Sequence, residues 1–383
     1  MRIALLTNCI PPYHKPVLDL LAARHKEFRV LVSTPIEANC SWEADWQGLD
    51  VVIQKTITLR GRWRHPRAFD EPLEVHFPLD TVNQLRRFGA DIVISNEFGF
   101  RTLLAVLYSK LRRGARVIAW TDMNDVSEQG RGLIRNALRR LLRNNIHAFL
   151  ALGNGGARYI RSLGVDEKRI FQFVYTTDVE RFASIDLARP AAQYRRLLYV
   201  GRLIPLKGLQ PFIEALSRWS AEHPTERIEF LLAGQGPLRE RLERLPVAPN
   251  LRMTFLGPVG YENLPQVYAQ ADLFVFPTLL DLWGVVVNEA LAAGLPVLGS
   301  AYAQAVAELV QPGRTGWVFR PDHPDETYRA IEQSLSAPGE QLQQMRAAAR
   351  ETALRLTPAV VADLIENAIQ ACANGGVRQA AHA

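Results

Sequence analysis

Two cationic side chains follow an apolar segment in the second half of the chain. Leu197-Leu198-Tyr199-Val200 runs into Gly201-Arg202-x4-Lys207-Gly208, and a helical stretch begins at Leu209. Arg202 and Lys207 therefore stand at a strand-to-helix turn, where unpaired amides at the start of a helix also attract anions. The pattern predicts a pyrophosphate site, and an ordinary basic loop is the alternative interpretation.

Two acidic residues follow a later apolar segment. A loop carries Asp281, and a helix that starts near Gly284 or Val285 places Glu289 just past its first turn. The free amides of Gly284, Val285 and Val286 can bind phosphate oxygens or sugar hydroxyls, and carboxylates accept hydrogen bonds from ribose and hexose hydroxyls. Because a diphosphate would repel a carboxylate, both acids are predicted to face sugars. The pattern indicates nucleotide-sugar chemistry, although Glu289 could also be an ordinary charge on a helix surface.

A third segment, Phe230-Leu231-Leu232-Ala233, ends in Gly234-x-Gly236. Glycines at the end of a strand let a ligand approach the backbone closely. By itself such a pair also fits an ordinary tight turn. We therefore treat Gly234 and Gly236 as candidate binding residues only in combination with the other two motifs.

The elements that must position these motifs are short apolar strands alternating with helical stretches. Strands that are apolar throughout favour a parallel sheet covered on both faces. At 383 residues the chain is long enough for two such domains, and the polar stretch 186–194 is the best linker candidate. Ligands of open α/β sheets bind beyond the carboxyl ends of the strands. We predict an α/β protein with two Rossmann-like doubly wound domains that face each other across a cleft. The predicted strands are Arg2–Thr7, Phe28–Ser33, Asp91–Ser95, Arg116–Trp120, His147–Leu152, Arg196–Gly201, Glu229–Gly234, Arg252–Gly257, Leu273–Pro277 and Pro296–Gly299.

Composition excludes several classes of protein. No apolar run has the roughly 18 residues needed to cross a bilayer, and the first residues are typical of a strand and not of a signal peptide, so we expect a cytoplasmic protein. Three widely spaced cysteines, Cys9, Cys40 and Cys372, indicate neither a disulfide framework nor a zinc site. No Asp-x-Asp motif or histidine cluster suggests a bound metal.

The net charge of +6 is concentrated in the first half of the chain, where residues 1–185 hold 27 Lys and Arg against 19 Asp and Glu. Part of it lies in the amphipathic stretch Gly132–Asn144, where the arginines at 131, 135, 139, 140 and 143 are predicted around the solvated face. The apolar face is predicted to hold Leu133, Ile134, Ala137, Leu138, Leu141 and Leu142. We interpret this stretch as a surface helix packed on its own sheet, with peripheral contact to an anionic membrane as the functional alternative.

In the order and spacing of these motifs the chain resembles the retaining glycosyltransferases of the GT-B fold, glycosyltransferase family 4, also called glycosyl transferases group 1. The motifs are Gly201-Arg202-x4-Lys207-Gly208, Gly234-x-Gly236, the acid-x7-Glu pair at 281 and 289, and Ala293-Gly294-Leu295-Pro296-Val297. The resemblance covers most of residues 1–335. It implies an acceptor-side domain at 1–188, a donor domain at 189–357, and a helix and tail at 358–383 that cross back to the first domain.

The resemblance also implies roles for individual residues. Arg202 and Lys207 would hold the donor diphosphate, Glu289 the ribose, and Asp281 with the following amides the transferred sugar. Gly257 belongs to the segment that contacts the base. The loop from Asn8 to His14 matches the family's first loop, here rich in proline.

Two departures from the family pattern stand out. Asp281 occupies a position where Glu is usual, so its reach is one methylene shorter. No histidine follows the strand Arg116–Trp120, where Thr121-Asp122-Met123 stands instead, and a base in the first domain is left unassigned.

The implied reaction is metal-independent transfer of a hexose from a UDP- or GDP-linked donor to an acceptor hydroxyl, with retention and without a further cofactor. The departing diphosphate is stabilised by Arg202, Lys207 and the helix amides. The implied acceptor is a saccharide or a lipid-linked saccharide of a bacterial cell surface, and nucleic acid is not expected as a partner. A sugar-nucleotide epimerase of the same fold and a non-catalytic ligand-binding protein are the alternatives.

Overall fold

A computed structural model of the chain describes residues 1–37, 44–64, 70–129, 133–188 and 194–374. These residues form two compact units. Unit 1 comprises Met1–Tyr175 and Pro358–Ala383, and unit 2 comprises Thr176–Thr357. Cys40, the arginine at 131, and residues 189–193 of the predicted linker lie outside the described residues.

Unit 1 alternates strands and helices from its first residue. Its elements are β1 (Arg2–Thr7), α1 (Lys15–Arg24), β2 (Glu27–Val32), β3 (Asp50–Ile53), β4 (Thr56–Arg64), β5 (Asp70–Pro78), α2 (Thr81–Phe88), β6 (Ile92–Asn96), α3 (Phe100–Leu111), β7 (Arg116–Thr121), α4 (Leu133–Leu142), β8 (Ala148–Leu152), α5 (Gly153–Ser162) and β9 (Ile170–Phe173).

Seven of these strands form one parallel sheet in the order β3-β2-β1-β6-β7-β8-β9. Every residue of β6 and of β8 is buried, as expected for central strands covered on both faces. Side chains from the helices between β6 and β9 complete the core on one face, among them Tyr108, Leu142 and Ile160. Strands β4 and β5 pair separately as an antiparallel ribbon.

Unit 2 repeats the plan with six strands. Its elements are α6 (Val179–Ala183), β10 (Arg195–Val200), α7 (Leu209–Glu222), β11 (Ile228–Ala233), α8 (Arg239–Glu243), β12 (Leu251–Gly257), α9 (Leu264–Ala269), β13 (Leu273–Phe276), α10 (Val285–Ala292), β14 (Val297–Ser300), α11 (Gln304–Leu309), β15 (Gly316–Phe319), α12 (Pro324–Leu335) and α13 (Gly339–Leu354).

The sheet of unit 2 is parallel throughout and has the order β12-β11-β10-β13-β14-β15. In each sheet the chain first builds outward from its first strand, β1 or β10, and then returns to the other side of that strand. The order therefore reverses between β1 and β6 in unit 1 and between β10 and β13 in unit 2. Crevices that bind ligands form at such switch points, at the carboxyl ends of the strands.

The last helix, α14 (Pro358–Ala373), belongs to unit 1, where it packs against α1 and against strands β7, β8 and β9. Its buried side chains include Val361, Ile365 and Ile369. An ion pair between Arg24 and Asp363 at 2.6 Å joins it to α1. A hydrogen bond between His25 Nε2 and Glu366 Oε2 at 2.8 Å joins it to the residue after α1.

The prediction of two Rossmann-like parallel α/β domains is confirmed, and each predicted strand is present within one residue at either end. Residues 176–188, which the sequence analysis placed with the first domain, belong to unit 2. No helix among the described residues is long and apolar enough to span a membrane.

The basic helix α4 is oriented differently from the prediction. Arg139, expected on the solvated face, is only 1% exposed, and its guanidinium pairs with the buried Glu128 at 2.5 Å and donates to the carbonyl of Phe98 at 3.2 Å. Leu138 and Leu141, expected to be buried, are 38% and 72% exposed. A partner carboxylate and a carbonyl are available to Arg139 inside the unit, so the helix buries that side and turns two leucines outward.

Candidate functional site

The cationic motif lies in the loop that follows β10. Gly201 continues the ladder through a hydrogen bond from its amide to the carbonyl of Ala233 at 2.9 Å, and a short 3-10 turn carries Lys207 toward the start of α7. The carbonyl of Arg202 accepts a hydrogen bond from the buried Tyr199 hydroxyl at 2.8 Å, which fixes the backbone of the loop. Among the residues that the structure describes, the Arg202 guanidinium has no hydrogen-bond or salt-bridge partner.

The loop after β10 touches the loop after β13, and Gly208 makes that approach possible. Gly208 has φ of 64°, in the left-handed region, and a Cβ there would lie 2.1 Å from the carbonyl oxygen of Pro277. Only glycine fits this position without displacing the backbone. The cationic motif and the acidic motif are therefore packed together at the switch point of unit 2.

Lys207 and Asp281, both singled out from the sequence, form an ion pair. Lys207 Nζ lies 2.6 Å from Asp281 Oδ2, and the two side chains are 14% and 20% exposed. The ammonium also lies 5.4 Å from the centre of the Phe276 ring. Because an ammonium has three donors, this pair leaves Lys207 able to bind a phosphate oxygen as well.

Asp281 is held from its own loop as well. Its Oδ1 accepts a hydrogen bond from the Trp283 amide at 3.2 Å, and its backbone amide donates to the carbonyl of Tyr302 at 3.1 Å. The buried Trp283 donates from its indole to Asn288 Oδ1 at 2.8 Å and so ties the loop to α10. The acidic loop is therefore rigidly anchored on both sides.

Helix α10 begins as the sequence predicts, with Gly284 as its N-cap and Val285 as its first residue. No side chain caps this end, and no acidic residue lies in the first turn. Val285 and Val286 are partly exposed, whereas the rest of the helix is buried. The first amides of α10 are thus available to an anion, which the positive end of the helix dipole favours.

Glu289 is buried inside unit 2, which excludes an ordinary charge on a helix surface. It is 4% exposed, and its Oε2 accepts a hydrogen bond from the Tyr268 hydroxyl at 2.8 Å. Burial raises the pKa of Glu289 to about 7, and the hydrogen bond from Tyr268 only partly offsets this. One carboxylate oxygen is committed to Tyr268, so the other can accept hydroxyl donors.

The two glycines after β11 and the last glycine of β12 have a structural role that the sequence did not reveal. A Cβ at Gly234, whose φ is 141°, would lie 1.9 Å from the carbonyl oxygen of Gly201, and one at Gly236 would lie 2.4 Å from that of Leu203. The Gly234 amide donates to the carbonyl of Gly257 at 2.7 Å. These glycines bring three strand ends together, and their contact with a ligand stays a prediction.

Two of the supporting residues were missed by the sequence analysis. Tyr268, the partner of Glu289, and Phe276, below Lys207, carry no motif of their own. Phe276 closes an apolar strand next to the acidic loop, and that position is the one signal that could have suggested it. Among the described residues no group of three or more acidic, histidine or cysteine side chains could hold a metal ion.

Comparison with known proteins relates the region that carries this site to a known family. Residues 194–337 match the family model described as glycosyl transferases group 1. An uncharacterized glycosyltransferase of Methanocaldococcus jannaschii, MJ1607, is 32% identical over 145 residues, which is 37% of this chain and 36% of that protein. A GDP-mannose-dependent alpha-(1-6)-phosphatidylinositol monomannoside mannosyltransferase of Mycobacterium tuberculosis is 27% identical over 357 residues, covering 87% of this chain and 89% of its own.

For MJ1607 and two other curated relatives the chain spans less than half of the relative's length, namely 36%, 23% and 48%. Solved structures match nearly the whole chain. Anabaena Alr3699/HepE in complex with UDP superposes with a TM-score of 0.74 at 16% identity, covering 97% of this chain and 100% of that one. WaaG, a glycosyltransferase involved in lipopolysaccharide biosynthesis, gives a TM-score of 0.66 at 18% identity, covering 95% and 99%.

Proposed function

The chain belongs to the group 1 glycosyltransferases, family 4, of the GT-B fold, and we propose that it transfers a hexose from a UDP- or GDP-linked donor to an acceptor hydroxyl with retention of configuration. One observation carries this proposal. At the switch point of unit 2, Lys207 and Arg202 follow β10, while Asp281, the free amides of α10 and Glu289 follow β13. Cations and helix amides suit a diphosphate, and carboxylates suit hydroxyls.

In the proposed reaction the bond between the anomeric carbon and the diphosphate oxygen breaks, and the acceptor oxygen bonds to the same face of the sugar. The acceptor proton passes to an oxygen of the departing diphosphate, so no protein nucleophile is needed. Arg202, Lys207 and the α10 amides stabilise the charge that grows on the diphosphate. Asp281 lies beside Lys207 and is assigned to the transferred sugar, whereas Glu289 is assigned to the ribose.

The relatives support the donor class. The mycobacterial relative is named for GDP-mannose, and Alr3699/HepE binds UDP. We propose a cytoplasmic protein with a saccharide or lipid-linked saccharide acceptor, acting in the assembly of a bacterial cell surface. The lipopolysaccharide setting of WaaG and the lipid acceptor named for the mycobacterial relative are consistent with this.

We also propose that the outward face of α4 touches an anionic membrane. Leu141, 72% exposed, and Leu138, 38% exposed, lie beside the exposed Arg140 on this face. Exposed leucines next to arginine suit an interface where acyl chains meet anionic head groups. This face replaces the one that included Arg139.

The proposed reaction is tested with donor alone and with donor plus acceptor. Full-length protein is incubated with UDP- and GDP-hexoses, with and without EDTA, and products are resolved by chromatography. We expect slow hydrolysis of the donor without acceptor and transfer of the sugar when a saccharide acceptor is present. EDTA should not lower either activity. An epimerase would give an isomerised donor without acceptor, and a binding protein would leave the donor intact; either result would contradict the proposal.

A further inference from the structure

Unit 1 has its own polar cluster at the carboxyl end of its sheet. Asn8 follows β1 and Glu97 follows β6, the two strands on either side of the switch point of this sheet. Asn8 Nδ2 donates to Glu97 Oε1 at 2.7 Å. The two strand ends are thus joined by side chains at the position where open α/β sheets bind ligands.

A buried arginine fixes this arrangement from below. Arg101, 2% exposed, donates to the carbonyl of Asn96 at 3.2 Å, to Glu97 Oε2 at 3.3 Å and to Ser33 Oγ at 2.9 Å, and also to Asn8 Oδ1. Four acceptors share its terminal nitrogens, so the guanidinium is saturated on the side of the cluster. These terminal nitrogens are therefore not available to an anionic ligand, and Nε, which has no hydrogen-bond partner among the described residues, is buried.

Glu97 keeps its carboxylate outward at a conformational cost. Its φ of 69° is in the left-handed region, and among the described residues it is the one non-glycine with a positive φ. Glycine would adopt this conformation without strain. The Glu97 side chain is 52% exposed, so its carboxylate retains lone pairs for donors from solution.

A second carboxylate lies at the end of the neighbouring strand β7. Asp122 Oδ1 accepts from the Tyr175 hydroxyl at 2.6 Å and from the Trp120 indole at 3.0 Å, and its Oδ2 accepts from Asn96 at 3.4 Å. Burial, with a contribution from the charge of Glu97, raises the pKa of Asp122 to about 6. Two carboxylates within electrostatic reach of each other disfavour an anion here.

A buried nitrogen without a hydrogen-bond partner among the described residues lies near the two side chains that donate to Asp122. His14 Nε2 is shielded from solvent and has no hydrogen-bond partner among the described residues. Its ring lies 4.6 Å from that of Tyr175 and 5.8 Å from that of Trp120, the two donors to Asp122. Burial lowers the pKa of His14 to about 3, so it is neutral and can exchange a hydrogen bond with a hydroxyl group.

The family resemblance places the acceptor in the first domain. We propose that the ends of β1, β6 and β7 take an uncharged, hydroxyl-bearing face of that saccharide and reject a phosphorylated one. Glu97 accepts hydrogen bonds from acceptor hydroxyls, with Asp122 and His14 as further polar contacts. The acceptor assignment rests on the proposed glycosyltransferase function, whereas the preference for a neutral ligand rests on the charges of unit 1.

The test measures binding of simple probes to the full chain by saturation-transfer NMR in the presence of UDP or GDP. The neutral probes are methyl α-D-glucopyranoside and myo-inositol, and the charged probe is glucose 6-phosphate. We expect the neutral probes to bind at least about tenfold more tightly, since one charge-assisted hydrogen bond and the avoided repulsion favour them. Equal or tighter binding of glucose 6-phosphate, or no binding of either neutral probe, overturns the proposal.

The Glu97→Gln variant should bind the neutral probes about tenfold more weakly, because a charge-assisted hydrogen bond is lost. The difference in affinity between the neutral probes and glucose 6-phosphate should become smaller, because the repulsion between Glu97 and the phosphate is lost as well. The matched control is Glu27→Gln, a half-exposed carboxylate paired with Arg2 at the amino ends of β1 and β2, on the opposite side of the same sheet from the cluster. If Glu97→Gln fails to fold, Glu97→Asp, which keeps the charge, should weaken neutral binding and preserve the discrimination. A Glu97 variant that folds and binds both probe types like the wild type also overturns the proposal.

The same samples separate the two claims. Nucleotide binding reports on unit 2, and probe binding reports on unit 1. If the wild type binds neither UDP nor GDP, the proposed function is wrong. Nucleotide binding combined with a preference for the phosphorylated probe would remove only the acceptor inference.

Discussion

Unit 1 and unit 2 both reverse their strand order beside the first strand of the sheet, between β1 and β6 and between β10 and β13. The side chains at the two switch points differ in charge. Unit 2 presents Lys207, Arg202 and the first amides of α10, whereas unit 1 presents Glu97 and Asp122 in front of Arg101, whose terminal nitrogens are already bonded. The shared topology supplies the place for a ligand, and the side chains decide which ligand suits it.

The largest expected effect removes the cation of unit 2. Lys207→Ala should lower turnover by two to three orders of magnitude, because loss of one preorganised donor to the leaving group costs about 3–4 kcal/mol. Steady-state kinetics on the preferred donor measure this. Arg218→Ala, which removes an exposed arginine paired with Glu222 at 3.0 Å, is the control and should change turnover little. Near-normal turnover of the Lys207 variant would contradict the assignment of Lys207 to the departing diphosphate.

The same variant also tests a structural role of Lys207. Its side chain is 14% exposed and paired with Asp281. Removing the lysine leaves the partly buried carboxylate of Asp281 without its counter-charge. The free energy of unfolding should therefore fall by about 1–3 kcal/mol. Restoration of stability in the Lys207→Ala, Asp281→Asn double variant would separate this structural loss from the catalytic one.

Glu289 gives the next largest effect, on pH dependence. Its pKa of about 7 in the folded protein is above the ordinary value of 4.5, so between these values the folded state binds more protons than the unfolded state. The free energy of unfolding should therefore fall as pH rises from about 4.5 to about 7, by about 3 kcal/mol from this residue alone. Denaturant unfolding across this pH range should show a smaller fall in the free energy of unfolding for the Glu289→Gln variant than for the wild type.

The control for this pH effect is Glu214→Gln, an exposed carboxylate on α7. It should retain the pH dependence of the wild type. If donor hydroxyls bind the ionised form of Glu289, donor affinity should also increase as pH rises through about 7 in the wild type. An unchanged pH dependence of unfolding in Glu289→Gln would show that this carboxylate is not the buried group described above.

How far the sequence predicts the fold is clear from the strands it missed. The central strands of both sheets follow from local apolar runs, because both of their faces are covered. The sequence pattern did not reveal the two strands of the antiparallel ribbon, β4 and β5, or β3, β9 and β15. The last three are edge strands of only four residues. An edge strand has one neighbour and a weaker apolar pattern, so the sequence signal is small.

The candidate site shows the same limit. Arg202, Lys207 and Asp281 are visible because each follows the end of a strand within seven positions, and Glu289 because it lies just past the first turn of the next helix. Their partners are not visible, since Lys207 and Asp281 are 74 positions apart and Glu289 and Tyr268 are 21 apart. The burial of Arg139 depends on Glu128 in the same way, which is why the exposed face of α4 was wrongly predicted.

A smaller effect tests how the switch point of unit 2 is assembled. Gly208→Ala should destabilise the protein by about 1–3 kcal/mol more than Gly313→Ala, because overpacking adds to the shared backbone strain. Both glycines have positive φ, 64° and 76°, but a Cβ at Gly313 meets no atom within 4 Å. Thermal or denaturant unfolding of the two variants provides the comparison. Equal losses would show that the loops after β10 and β13 do not pack as described.

The smallest expected effect concerns the basic excess of unit 1. Arg140→Glu combined with Leu141→Gln should weaken binding to vesicles of anionic lipid, with about 1 kcal/mol lost for the arginine, and leave unfolding unchanged. The control is Arg60→Glu on β4, an exposed arginine of the same unit. Vesicle sedimentation that is unaffected by the α4 changes would leave this helix without a role at a membrane.

The most direct test of the central claim is calorimetric titration of the full chain with UDP and with GDP, compared with Arg202→Ala. We expect one of the two nucleotides to bind the wild type without added metal. The Arg202→Ala variant should bind that nucleotide at least about tenfold more weakly, since a charge-assisted contact to the diphosphate is lost. Failure of both nucleotides to bind the wild type, or equal binding to Arg202→Ala, would contradict the placement of the diphosphate at the switch point of unit 2.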